Sequence, residues 1–91
     1  MAKVRNLLVN TAVAETQFLR TELLAGLNFS KIARDSKDEL KIERNRANAR
    51  KAYDALLHFI PTAALSPEEA KEIDLGLTEL KAALRGLGED V

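Results

Sequence analysis

The prolines of this chain lie only at Pro61 and Pro67, so residues 1–60 contain no obligatory helix break. The apolar residues are mostly leucine and alanine, whose side chains lose little rotamer freedom in a helix. A length of 91 residues accommodates one domain. We therefore expect an all-α fold in which the two prolines mark the last connection between helices.

Apolar periodicity predicts three helices, at about residues 3–34, 38–60 and 67–86. Because short turns join them, we expect an up-down-up antiparallel three-helix bundle. This predicts a single domain over residues 1–88, followed by a frayed C-terminal tail at residues 89–91.

Local signals mark the helix ends. Ser66 before Pro67 and two acidic residues is typical of a capped helix start, and Gly86 is placed to follow the end of the same helix. Ser36 and Glu39 form a capping-box pattern at the start of the second helix.

The first helix has two apolar faces, where a surface helix needs only one. One face comprises Leu8, Ala12, Leu19, Leu23 and Leu27, and the other comprises Leu7, Phe18, Ala25, Phe29 and Ile32. Such a helix either lies between its two neighbours or offers one face to another molecule. If the second holds, the interaction surface consists of Leu7, Phe18, Phe29 and Ile32. The pattern leaves open whether this helix is kinked near Gly26–Ser30.

The second helix carries a run of basic residues that could bind an anion. These residues are Arg44, Arg46, Arg50 and Lys51. Phosphate binding needs cations that converge on one surface, whereas a helical wheel disperses these four. The charges of the chain are also segregated: residues 1–34 hold five basic and two acidic groups (+3), and residues 63–91 hold three and seven (−4). Intramolecular pairing of the basic run with the acidic third helix is the main expectation, and nucleic-acid or anionic-ligand binding is the alternative.

Few side chains here could carry reactive chemistry. Cysteine is absent, and His58 is the only histidine, one helical turn from Asp54. Two ligands are too few for a metal site, so we expect no catalytic residue, cofactor or metal. Glu15 and Glu22 lie beside the apolar faces of the first helix, where we expect them to pair with an arginine of the second helix or to specify register.

The pattern Ala49-x-x-x-Tyr53-x-x-Leu56-x-x-x-x-Pro61 resembles the second helix of a tetratricopeptide repeat. The resemblance covers residues 49–61 and implies a helical hairpin that packs as such repeats do, with helical-protein binding as a related function. The preceding helix departs from the repeat, since Ala33 stands where a large aromatic residue is usual.

These observations favour a small, non-enzymatic, cytoplasmic helical protein. We expect a protein–protein interaction or structural module that can self-associate through its first helix. No window approaches the ~20 consecutive apolar residues of a membrane span.

Overall fold

A computed structural model describes the backbone of residues 2–91 and the side chains of residues 11–91. It contains three α-helices and a 3₁₀ turn, and no strand within residues 2–91. The elements are α1 (Ala2–Asp35), α2 (Glu39–Phe59), the 3₁₀ turn (Ile60–Thr62) and α3 (Pro67–Gly86). The predicted all-α fold is confirmed, and α1 is one unbroken helix through the glycine-containing stretch that the sequence left undecided.

The helices alternate in direction. Phe18, in the first half of α1, contacts Phe59 at the end of α2, so these two helices are antiparallel. Arg20 of α1 pairs with Glu72 near the start of α3, and Gly26, further along α1, approaches Leu80, further along α3. Helices α1 and α3 therefore run in the same direction. This is the predicted up-down-up bundle, and α1 is its longest helix with 34 residues.

Both later helices begin with side-chain caps. In α3, the hydroxyl of Ser66 accepts from the Glu69 amide (3.1 Å) and the Glu69 carboxylate accepts from the Ser66 amide (3.0 Å), which is the predicted capped start. At α2 the expected Ser36–Glu39 box does not form. Asp38 caps the helix instead, and its carboxylate accepts from the Leu40 amide at 3.0 Å. A carboxylate adjacent to the first turn reaches the unpaired amides more directly.

The end of α3 differs from the prediction. Gly88, rather than Gly86, adopts the left-handed conformation, with φ of 90°. The Glu89 amide donates to the carbonyl of Leu84, and the Gly88 amide donates to that of Arg85, both at 3.0 Å. These two bonds form a Schellman motif, which satisfies carbonyls that would otherwise lack partners at the helix end.

The core lies where all three helices meet. Its largest fully buried side chains come from each helix: Leu19, Leu56, Ile73, Leu80 and Leu84. Gly26 lies at a close approach of α1 to α2 and α3. A Cβ built there would be 2.8 Å from Leu80 Cδ2 and 3.3 Å from the Ala52 Cβ. The glycine that weakens α1 locally is therefore the residue that lets α1 approach both partners.

Candidate interaction groove

An apolar concave surface lies near the end of the bundle where α2 finishes. We call it the end groove. It has a volume of about 340 Å³. Its lining residues are Thr11, Ala14, Glu15, Phe18, Leu19, Phe59, Thr62 and Ala63. It is therefore formed by one face of α1 on one side and by the end of α2 and the 3₁₀ turn on the other.

An aromatic pair dominates the groove. The rings of Phe18 and Phe59 are 5.3 Å apart between centroids and nearly perpendicular, at 86°, which is the favourable edge-to-face arrangement. Both rings remain accessible, with Phe18 41% and Phe59 44% exposed. The sequence analysis did not single out Phe59, whose exposure only the structure shows. Its position as the last residue of α2, two residues before Pro61, is the signal that could have suggested it.

Polar contacts hold the second side of the groove against α1. The Glu15 carboxylate accepts a hydrogen bond from the backbone amide of Ala64, at 2.9 Å. The Thr62 hydroxyl donates to the Phe59 carbonyl at 3.2 Å, and the Ala63 amide donates to the Ile60 carbonyl at the same distance. Glu15 was expected to pair with an arginine of α2 or to specify register. In the structure its carboxylate bonds to the α2–α3 connection and holds that side of the groove against α1.

The predicted interaction surface does not form one patch. Phe18 lies in the end groove, but Phe29 is only partly exposed and packs against the core. Ile32, 38% exposed, lines a separate shallow depression with Lys31, whereas the Leu7 side chain lies outside the described residues. The second apolar face of α1 is therefore divided, because Phe29 in its middle packs against the core.

The basic residues of α2 also divide into two groups. Arg46 and Arg50 converge on one carboxylate, that of Glu89, at 2.6 and 3.3 Å. Arg50 also pairs with Asp54 at 3.1 Å. Arg44 and Lys51 are exposed and lie on a different side of the helix by register. The four residues proposed for anion binding thus do not share one surface, and two of them already hold carboxylates.

The contacts of Glu89 and Val91 join residues 89–91 to α2 and α3. The hydrogen bond from Arg46, with the further bond from Arg50, holds the pKa of the Glu89 carboxyl below its usual range. Arg85 Nε donates to the Val91 carbonyl at 2.8 Å, and the Val91 side chain packs against the core. Glu89 and Val91 therefore contact α2 and α3, and the frayed tail at residues 89–91 stays a prediction.

Asp54 and His58 do not contact each other. The Asp54 carboxylate accepts from Arg50, and the His58 ring lies edge-to-face against Phe59, at 4.7 Å between centroids. Within the described residues, histidine and acidic side chains nowhere gather in a group of three or more that could hold a metal. In the same part of the chain, no helix combines the length and apolarity that crossing a membrane requires.

Comparison with known proteins adds no family assignment. No protein-family model matches the sequence, and no curated protein or solved structure matches it significantly. The resemblance of residues 49–61 to a tetratricopeptide helix stays a prediction. The chain is thus defined by its own features: a three-helix bundle with an apolar groove at the end of α2.

Proposed function

We propose that this chain is a non-enzymatic interaction module that self-associates, with the end groove as its docking surface. The observation that carries the proposal is the exposed Phe18–Phe59 pair. Two aromatic rings side by side in an apolar groove are typical of the desolvated centre of a protein interface. The hydrogen bond from the Ala64 amide to Glu15 holds the α2–α3 connection against α1. The groove therefore has a defined shape before any partner binds.

The length of α1 supports a second copy as the occupant. The helix begins at Ala2, whereas the α2–α3 connection meets it at Glu15. Nine residues of helical backbone, about 14 Å at 1.5 Å per residue, therefore precede the first groove residue, Thr11. The sequence of this stretch supplies the apolar residues Val4, Leu7 and Leu8, which association with a second copy would cover.

Sedimentation velocity tests the proposal with a matched pair of variants, Phe18→Glu and Leu24→Glu. Leu24 lies on the same helix, is 62% exposed and does not line the end groove. We expect the wild-type chain and Leu24→Glu to form dimers at micromolar concentration. Phe18→Glu removes burial worth about 2 kcal/mol from each copy. With two copies per dimer, the dissociation constant should rise roughly a thousandfold.

Two results would contradict self-association. One is a wild-type chain that stays monomeric up to submillimolar concentration. The other is equal weakening of the dimer by Phe18→Glu and Leu24→Glu, because that would show a general effect of added charge. Circular dichroism of both variants establishes that each retains its helical content.

A further inference from the structure

Arg46 and Arg50 contact a short segment of the chain as well as one carboxylate. Arg46 Nε donates to one oxygen of the Glu89 carboxylate at 2.6 Å, and Arg50 Nη1 donates to the other at 3.3 Å. The same guanidinium groups also donate to the backbone carbonyls of Gly88 and Asp90, at 3.3 and 3.4 Å. We call Arg46 and Arg50 the arginine pair. It binds an acidic side chain together with the backbone on both sides, which is a way of binding a peptide.

An apolar contact lies two residues beyond the acid. The Val91 side chain packs against the core, and Arg85 Nε of α3 donates to the Val91 carbonyl at 2.8 Å. Asp90, between Glu89 and Val91, is exposed. The contacts therefore specify the pattern Glu-x-Val, in which the middle side chain is free to vary.

The arginine pair is held in place from outside this segment. Arg50 Nε donates to the Asp54 carboxylate at 3.1 Å, one turn further along α2. Arg46 lies one turn before Arg50 on the same helix, so the helical backbone fixes their spacing. A depression of about 320 Å³ adjoins the pair, lined by Glu43, Arg46, Ala47, Arg50 and Glu89. The pair therefore stays assembled when residues 88–91 leave it, and an incoming chain has room to approach.

Exposure and charge suit a carboxylate ligand from another chain. The side chains of Arg46 and Arg50 are 40% and 37% exposed, so a second carboxylate can reach them from solvent. Apart from Glu89, Glu43 lines the depression and Asp54 pairs with Arg50, so two carboxylates already offset the two positive charges. A phosphate dianion would add excess negative charge, whereas one carboxylate only restores the charge that Glu89 supplies.

We infer that the arginine pair is a binding site for an acidic segment of a partner protein, of the form Glu-x-apolar, and that residues 88–91 are the internal ligand that such a segment displaces. Because the internal segment is joined to α3, its effective concentration at the site is high, in the millimolar range for a short flexible link. Residues 88–91 therefore exclude weak acidic competitors. None of the residues that line the end groove takes part, so this inference is independent of the proposed function.

An NMR titration of the full chain tests the inference. The probe is the end-blocked peptide Leu-Gly-Glu-Asp-Val, which has the sequence of residues 87–91, and the Nε–Hε signals of Arg46 and Arg50 report its binding. Glu89→Gln weakens the internal ligand and leaves the arginine pair intact. A charge-assisted hydrogen bond contributes about a tenfold factor, so we expect the peptide to bind Glu89→Gln at least about tenfold more tightly than the wild type. Val91→Ala weakens the internal ligand at its other contact and should also strengthen peptide binding.

Two matched changes within the Glu89→Gln variant test the site itself. Arg46→Gln should remove the peptide binding that the Arg50 signal reports. Arg44→Gln makes the same charge change at an exposed position on a different side of α2 and should leave peptide binding unchanged. A peptide with glutamine at its glutamate position should not bind. Circular dichroism establishes that each variant retains its helical content.

Each outcome decides the inference. Weaker peptide binding to the wild type than to Glu89→Gln and Val91→Ala, with a requirement for Arg46 and none for Arg44, supports it. Equal binding to the wild type and Glu89→Gln overturns it, because residues 88–91 would then not compete with the peptide. Absence of binding to Glu89→Gln at millimolar peptide also overturns it. If inorganic phosphate shifts the two arginine signals at a lower concentration than the peptide does, the pair is a phosphate site and the inference is wrong.

Discussion

Replacing Gly26 by alanine tests how the three helices meet. Alanine is the better helix former, so at an exposed site the change would stabilise α1 by about 1 kcal/mol. At this site the new methyl group would lie 2.8 Å from Leu80 Cδ2 and 3.3 Å from the Ala52 Cβ. Leu80 is fully buried and Ala52 is nearly so, so neither can move aside freely. Overpacking of such a core costs about 1–3 kcal/mol.

The overpacking term therefore exceeds the propensity term, and we expect a net loss of about 1 kcal/mol in the free energy of unfolding for Gly26→Ala. For a domain of this size that corresponds to a fall of about 4–8 °C in the melting temperature. Thermal and urea unfolding followed by circular dichroism measure it, with all proteins at one concentration because self-association adds apparent stability.

Gly86→Ala is the matched control for this prediction. A Cβ at Gly86 would have no atom within 4 Å, so only the helix-propensity term acts and stability should stay the same or rise. If Gly26→Ala raised the melting temperature as much as Gly86→Ala, the close approach of α1 to Leu80 and Ala52 would be refuted.

Two further predictions concern a cap and a charge. Ser66→Ala removes the acceptor for the Glu69 amide and should lower the free energy of unfolding by about 1 kcal/mol. Urea unfolding measures this change. An unchanged free energy of unfolding would show that the Ser66 hydroxyl does not stabilise the start of α3. The pKa of Glu89 is lowered by Arg46 and Arg50, so its ion pairs stabilise the fold above the ordinary glutamate value of 4.5, and this stability is lost as pH falls through the lowered pKa. Glu89→Gln should thus reduce stability at pH ~7 and match the wild type at pH ~2; an equal deficit at both values would exclude an ionic origin.

The sequence itself determined the helices. Their limits follow from interactions between residues three or four positions apart, as with the cap at Ser66 and the missing amide of Pro61. For this reason the predicted ranges 38–60 and 67–86 differ from the observed helices by at most a residue at either end. Leu19 and Leu23, which lie on the first apolar face of α1, are both buried as that face requires.

Only the tertiary structure decided which of the remaining side chains stay accessible. Phe29 and Phe18 belong to the same apolar face of α1, yet Phe29 packs against the core and Phe18 stays exposed. The difference arises because α2 ends at the level of Phe18, where Phe59 is its last residue. The local sequence does not show where along α1 this end lies. The packing of α2 beside the end of α3 likewise brings Glu89 to Arg46. Helical periodicity states which residues share a face, but the relative positions of packed helices decide whether that face is covered.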